Sequence, residues 1–313
     1  MSSEVISPRR PLRLPLPRLS MVQREAVEGF VFISPWVIGF LVFTAGPLIA
    51  SAVLSFTDWG LIGAPKPVGV ENYVTMVNDH LFWQALSVTI RYTLISVPVG
   101  MVLALGMSLL MIRPLRGIYV FRTIYYLPSV IGGVAVSLLW MWVFNPEFGI
   151  LNYLLGLLGI KGPPWLADPD WSLYALIIMS LWGVGAQTII FIAGLQSIPA
   201  HLYEAAELDG AGTRSRLRHI TIPMLSPSIL FSLVIAIIGS FQTFTAAFVM
   251  TDGGPMNSTL FYVLYLYRNA FKFFKMGYAS ALAWILFVVI LICTLLVFRS
   301  SPMWVFYEAE VRR

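Results

Sequence analysis

Charge is scarce in this chain: only 11% of its 313 residues are Asp, Glu, Lys or Arg, whereas 58% are hydrophobic. With a mean hydropathy of +0.82, that composition excludes an ordinary soluble domain. Cysteine occurs once, as Cys293 inside an apolar run, so an intrachain disulfide is excluded and a packing role is the simplest reading. There is no G-x-x-x-x-G-K-[ST] phosphate loop, and ATP hydrolysis through that motif is therefore excluded. The three histidines, His80, His201 and His219, fall on separate polar segments without metal-ligand spacing, which argues against a metal site or a membrane-embedded enzyme. The long apolar runs hold no central Asp, Glu or His, the groups an ion-coupled secondary carrier needs.

What the chain does have is length of apolar sequence. A bilayer core takes about 20 apolar residues per helix, and six stretches qualify: 30–56, 86–112, 119–144, 173–196, 225–250 and 279–298. The expected fold is an all-α integral membrane protein with six transmembrane helices in one bundle. Lys and Arg are retained on the cytoplasmic side. Arg9, Arg10, Arg13, Arg18 and Arg24 precede the first span, and Arg113, Arg116 and Arg122 surround the link between the second and third. Arg214, Arg216 and Arg218 lie between the fourth and fifth, and Arg299, Arg312 and Arg313 close the chain. The remaining cations, Lys66, Arg91, Lys161, Arg268, Lys272 and Lys275, fall on the other side, a division of 14 against 6 that puts both termini in the cytoplasm. The net charge of +5 thus reflects an inner-leaflet preference, and no nucleic-acid partner is implied.

This gives a domain plan of a disordered basic cytoplasmic arm over 1–28, a six-span membrane domain over 29–300 and a cytoplasmic tail over 301–313. The first span is longer than a signal-peptide core and is read as retained. Three outer segments follow from turn chemistry. Residues 57–85 mix turn formers with aromatics, and 150–160 should form a short surface helix between Pro146 and Pro163-Pro164. Residues 262–274 should form an amphipathic piece whose Arg268, Lys272 and Lys275 share a solvated or headgroup-facing side.

Between the fourth and fifth spans, residues 197–224 read as a polar helical hairpin. Ser197 can cap a helix with Pro199 in its first turn, and Gly210 can stop it in a left-handed conformation. Leu202, Ala205, Ala206 and Leu208 would form a shallow apolar face flanked by Glu204 and Glu207. Thr213 can cap a second short helix bearing Arg214, Arg216, Arg218 and His219, which Pro223 would end. Such a hairpin either receives a soluble partner or merely connects two spans.

The order Glu204-Ala205-Ala206, Asp209-Gly210, Ile220 and Pro223 resembles the EAA loop of permease subunits of bacterial ATP-binding-cassette importers, with Ile222 where Leu is usual. Further segments resemble the carbohydrate branch, of the maltose and glycerol-phosphate type: Ser34-Pro35 with Gly39-Phe40 and Pro47, Ser55-Phe56-Thr57-Asp58-Trp59, Glu71-Asn72-Tyr73, Leu195-Gln196-Ser197-Ile198-Pro199, and Thr251-Asp252-Gly253-Gly254-Pro255. The resemblance implies a type I importer permease bundle in the bacterial inner membrane that forms half of a sugar or oligosaccharide pathway. It implies a second permease, two ATPase subunits carrying ATP and Mg, and an extracytoplasmic solute-binding protein; this chain would bind no cofactor and be no enzyme. Glu204, Ala205, Ala206, Asp209, Gly210, Ile220 and Pro223 would form the ATPase-coupling element.

Polar residues inside a membrane often face a cavity, and here they gather in the spans flanking the hairpin. Ser180, Trp182, Gly183 and Gln187 of the fourth, and Gly239, Ser240, Gln242 and Thr245 of the fifth, are the candidate substrate pathway. Gln187 and Gln242 are the strongest candidates, because Ser and Thr can satisfy themselves on their own helix. Glycerol-phosphate would call for a basic lining and a polyamine for an acidic or strongly aromatic one; neither is evident, which leaves a neutral sugar first, with another small solute as the alternative.

Overall fold

The computed structural model describes residues 20–113 and 115–306. Four helical runs are long and apolar enough to cross a bilayer, Met21–Leu54, His80–Met111, Thr213–Met250 and Met276–Met303, and two bent helix pairs bring the number to six among the described residues. The described residues fall into two compact units, one up to Ser51 and one from Ala52 onward.

In the first unit, α1 (Met21–Phe40) starts at a capping box: Ser20 Oγ accepts from the Gln23 N–H while Gln23 Oε1 accepts from that of Ser20. Its start puts residues 21–28 in helix, where an arm was expected; residues 1–19 of that arm lie outside the described residues. A π-helical turn at Leu41–Ala45 links it to α2 (Gly46–Leu54).

The second unit opens with a two-residue antiparallel pair, β1 (Thr57–Asp58) and β2 (Lys66–Pro67), then α3 (Glu71–Asn78) and α4 (His80–Met111). Asp79 starts α4 six residues before the apolar run does, because its carboxylate accepts from the Leu81 N–H at 2.9 Å. Then come α5 (Ile118–Tyr126) and α6 (Gly133–Val143), bent 96° from one another, so the third span is not one straight helix. Pro128 and the Gly132-Gly133 pair interrupt the hydrogen-bond ladder there. After the short helix α7 (Ile150–Leu157), the fourth span is also broken, by 45°, between α8 (Ser172–Trp182) and α9 (Gly185–Gln196), where Gly183 and Gly185 weaken the helix.

The chain continues through α10 (Ala200–Leu208), α11 (Thr213–Arg216), α12 (Ile222–Phe241), α13 (Thr245–Met250), α14 (Tyr262–Tyr267) and α15 (Met276–Ser300). Helix α4 runs through the centre, touching α8, α9, α12 and α14. Its N-terminal half joins one apolar cluster, with Phe82, Val88 and Tyr92 against Leu176, Phe261 and Leu282; its C-terminal half joins a second, with Ala104 against Phe191, Leu195 and Leu225. Tyr262 is fully buried between these helices, its N–H donating to Thr89 Oγ1 and its hydroxyl to the Leu282 carbonyl, each at 2.9 Å. The segment expected to be a solvated amphipathic piece is therefore largely core: Tyr262, Leu264, Tyr265, Asn269 and Ala270 are buried, and Arg268 pairs with Asp252 at 3.0 Å. Lys272 and Lys275 remain exposed. Behind α15, the Phe306 N–H donates to Ser226 Oγ at 2.8 Å, which fixes the first part of the expected tail on α12; residues 307–313 lie outside the described residues.

Candidate functional site

Two places bring together residues expected of a site. The first is a cavity of about 250 Å³ between the two apolar clusters, bordered by the helix breaks of the fourth and fifth spans. Helix α4 contributes Tyr92, Ser96 and Gly100, four residues apart and so on one face; α8 and α9 contribute Ser180 and Gln187 on either side of Gly183; and α12 contributes Gly239 and Ser240, followed by Thr243 in the break before α13. Non-helical backbone at membrane depth is tolerated where it lines a cavity or is buried in protein, which is the setting of Gly183 and of Thr243. The Ser180 and Ser240 hydroxyls donate to the carbonyls of Ile177 and Ile237 at 2.7 and 2.8 Å, leaving their lone pairs as acceptors. The Tyr92 hydroxyl faces those of Ser96, Ser180 and Thr243. The Gln187 amide has no hydrogen-bond partner among the described residues and is half-buried at the cavity wall.

Of the eight pathway candidates, Ser180, Gly183, Gln187, Gly239 and Ser240 line this cavity. Trp182 does not: it turns to Trp140, ring centroids 6.0 Å apart. Gln242 is exposed at the C-cap of α12, and Thr245 packs against Gly133 at the break in the third span. At about 3.6 residues per turn these three fall off the faces that Ser180 and Gln187, and Gly239 and Ser240, share. The α4 contribution was missed, although the spacing of Tyr92, Ser96 and Gly100 was available as a signal.

The second place is the hairpin. Helix α10 ends in a Schellman motif, with the Gly210 N–H donating to the Glu207 carbonyl at 3.0 Å and that of Ala211 to Ala206 at 2.8 Å, and Gly210 at φ +75° as expected of its stop. Its start differs from expectation. Ser197 Oγ bonds back to the Gly194 carbonyl at 2.8 Å and closes α9, while Pro199 occupies the N-cap of α10. Gly212, not Thr213, sits at the N-cap of α11. Pro223 does not end the second arm: a π-helical turn, Leu217–Thr221, joins α11 to α12, and this wider turn accommodates the missing donor of Pro223 at the start of α12. The second arm and the cavity-lining helix are thus one continuous rod.

Helix α10 presents two faces. Leu202 and Tyr203 pack inward with Ile198, Ile220 and Leu225, so Ile220 belongs to the hairpin's own core and Pro223 to the half-buried base. Outward lie His201, Glu204, Ala205 and Leu208, the last 90% exposed, with Asp209 and Gly210 at the tip and Ala206 half-buried. The expected apolar face is therefore split between the core and solvent. Across the hairpin, Arg216 pairs with Glu207, and the Tyr203 and Thr221 hydroxyls lie 3.0 Å apart.

Residues 96–302 match the family described as binding-protein-dependent transport system inner membrane component. A probable ABC transporter permease protein, YesP of Bacillus subtilis, is 42% identical over 92% of this chain and 95% of its own length. The lactose transport system permease protein LacF of Rhizobium radiobacter is 36% identical over 91% of this chain and 97% of its own. Among solved structures, a chain of a bacterial alginate ABC transporter, in complex with an alginate pentasaccharide-bound periplasmic protein, superimposes with a TM-score of 0.79 at 24% identity, covering 89% of this chain and 95% of that one.

Proposed function

This chain belongs to the binding-protein-dependent transport system inner membrane components, and on that basis we propose that it carries a neutral sugar or oligosaccharide through the cavity between α4, α8–α9 and α12. It is a transmembrane permease subunit of an ABC importer. The observation that carries the sugar reading is the lining: Tyr92, Ser96, Ser180, Gln187, Ser240 and Thr243 offer hydroxyls and an amide, with no charged side chain among the lining residues. Such groups match the donors and acceptors of a polyol, whereas a phosphate or polyamine would need a charged partner. The lactose permease of Rhizobium radiobacter supports the same class. At about 250 Å³, the cavity is smaller than the ~300–1,000 Å³ pockets that enclose a drug-sized ligand. A second permease would supply the opposite wall.

The driving force comes from elsewhere. Two ATPase subunits, which hold ATP and Mg, dock on the outward face of the hairpin through Glu204, Ala205, Ala206, Asp209 and Gly210, with Ile220 and Pro223 holding that face in place. An extracytoplasmic solute-binding protein delivers the sugar from the opposite side, and both termini are cytoplasmic, in keeping with the arginine distribution. The test is transport by the assembled complex, after a panel of neutral sugars has been screened by thermal shift on the cognate solute-binding protein. Gln187→Leu removes the unpartnered amide and should reduce sugar uptake roughly fivefold, the worth of about 1 kcal/mol of hydrogen bonding, while ATPase binding is retained. Unchanged uptake by Gln187→Leu would remove this cavity from the pathway.

A further inference from the structure

Resting on the reading that the hairpin receives an ATPase, we infer that Glu207–Arg216 and Tyr203–Thr221 are cross-ties that make the two arms of the hairpin move as one body, so that displacement of α10 is delivered to the cavity-lining α12. Tyr203, Glu207, Arg216 and Thr221 are thereby positioning residues, acting through α12. The need for ties arises from the link between the arms. Residues 210–212 read Gly-Ala-Gly, and glycine leaves the backbone free to adopt many conformations. A Cβ at Gly210 or Gly212 would meet nothing within 4 Å, so neighbouring groups do not confine this link. The Schellman bonds at Gly210 and the apolar packing of Leu202 and Tyr203 with Ile220 also join the arms, but neither sets a direction, as an ion pair or a hydroxyl pair does, across the link.

The ties bypass it. One lies toward the hairpin tip, where the Arg216 guanidinium, with its side chain 25% exposed, reaches the Glu207 carboxylate from the opposite arm. The other lies at the base: Thr221 Oγ1 donates to the Arg216 carbonyl at 3.3 Å, which leaves the Tyr203 hydroxyl to donate to Thr221 across 3.0 Å. Together they join α10 to a rod that runs without a break from Thr213 through the π-helical turn to Phe241, and that rod bears Gly239 and Ser240 at the cavity. An ion pair exposed to this extent adds little to stability; its effect is to fix the angle between the arms under load.

The experiment uses the assembled importer, with spin labels at His201→Cys on the exposed face of α10 and Ile235→Cys on α12 in a Cys293→Ala background. Distances are measured by pulsed electron resonance without nucleotide and with ATP and orthovanadate. With the ties intact, the His201–Ile235 distance keeps one population in both states. In Glu207→Arg a second, displaced population is expected in the vanadate state only, and the charge-exchanged pair Glu207→Arg with Arg216→Glu should return it to one. A single population in Glu207→Arg, or a split that the exchanged pair does not repair, overturns the inference. Should Glu207→Arg fail to assemble, Tyr203→Phe with Thr221→Val decides between the outcomes, since it removes two hydroxyls and keeps the shape: a split supports the ties and its absence overturns them. Copurification separates this from the docking reading. If Glu204→Lys still retains the ATPase, docking on this face is wrong; if Glu204→Lys loses it while Glu207→Arg behaves as wild type, only the ties are wrong.

Discussion

Single residues hold this fold together at points where an apolar pattern gives no hint of them. Asp79 caps α4 and accepts hydroxyl hydrogen bonds from Tyr265 and from Tyr278, the latter at 2.9 Å, so one carboxylate joins three helices. Burial pushes that carboxyl up, but the two hydroxyls and the amides of Leu81 and Phe82 outweigh it and hold it below its ordinary value of 3.8. The Tyr265 hydroxyl is pushed up to about 12, first by burial and then by the carboxylate it serves. Because the folded form of Asp79 binds its proton less readily than the unfolded form, its contribution to stability is complete above about pH 4 and is lost as pH falls through the folded value. The thermal midpoint of the purified protein should accordingly fall below about pH 4, and Asp79→Asn should lower the midpoint at neutral pH and flatten that acid limb; an unchanged acid limb in Asp79→Asn would place the titration elsewhere. Gly277 gives a second residue-scale expectation. A Cβ there would lie 1.9 Å from the Thr57 carbonyl oxygen, and backbone cannot withdraw as a side chain can. Gly277→Ala should cost about 1–3 kcal/mol, measured as a lower denaturation midpoint, whereas Gly106→Ala, with nothing within 4 Å, should cost little. Neither contact was legible in the sequence, since both join residues far apart in the chain.

Elements were read more successfully than their bends. Apolar runs of bilayer length located the segments that become α4, α12 and α15, and the turn signals at Pro146 and Pro163-Pro164 located α7. Hydropathy measures how long a segment stays greasy and is blind to direction, so the 96° and 45° breaks in the third and fourth spans were not foreseen. The partial reading of the cavity has another cause, because polarity within a span does not say which helical face a residue occupies. Ser180, Gly183 and Gln187 share one face at helical spacing and line the cavity, whereas Trp182 lies off that face against Trp140. Local capping rules recognised the stop at Gly210, where one residue's left-handed conformation decides the outcome. They failed at Ser197 and Pro223, where the preceding helix and a π-helical turn offered better partners than the expected cap and stop. If the helix breaks shape the cavity as described, Gly183→Leu, which adds bulk and helix propensity at the break, should reduce sugar transport more than Gly156→Leu on α7, whose Cβ meets open space; equal transport by the two variants would count against the breaks as part of the pathway.

At the scale of the whole molecule, the chain is a transport subunit whose two candidate sites are joined by one rod. The cavity sits where the two apolar clusters of α4 part, and the hairpin sits at the far end of α12, with its exposed acidic and apolar residues turned away from the bundle. That geometry suits a two-state device in which a partner bound at one end biases the shape of the other. Family membership accounts for the division of labour, and the lining of the cavity for the class of solute. The most direct test of the central claim is ATP hydrolysis by the complete importer, reconstituted with its solute-binding protein loaded with the sugar that the thermal-shift screen identifies. Glu204→Lys reverses a charge on the docking face, and Gly210→Pro imposes a φ near −65° where the stop requires +75°. Both variants should insert in the membrane and lose the stimulation of ATP hydrolysis by the loaded binding protein; full stimulation in both would contradict the hairpin's role as the coupling element.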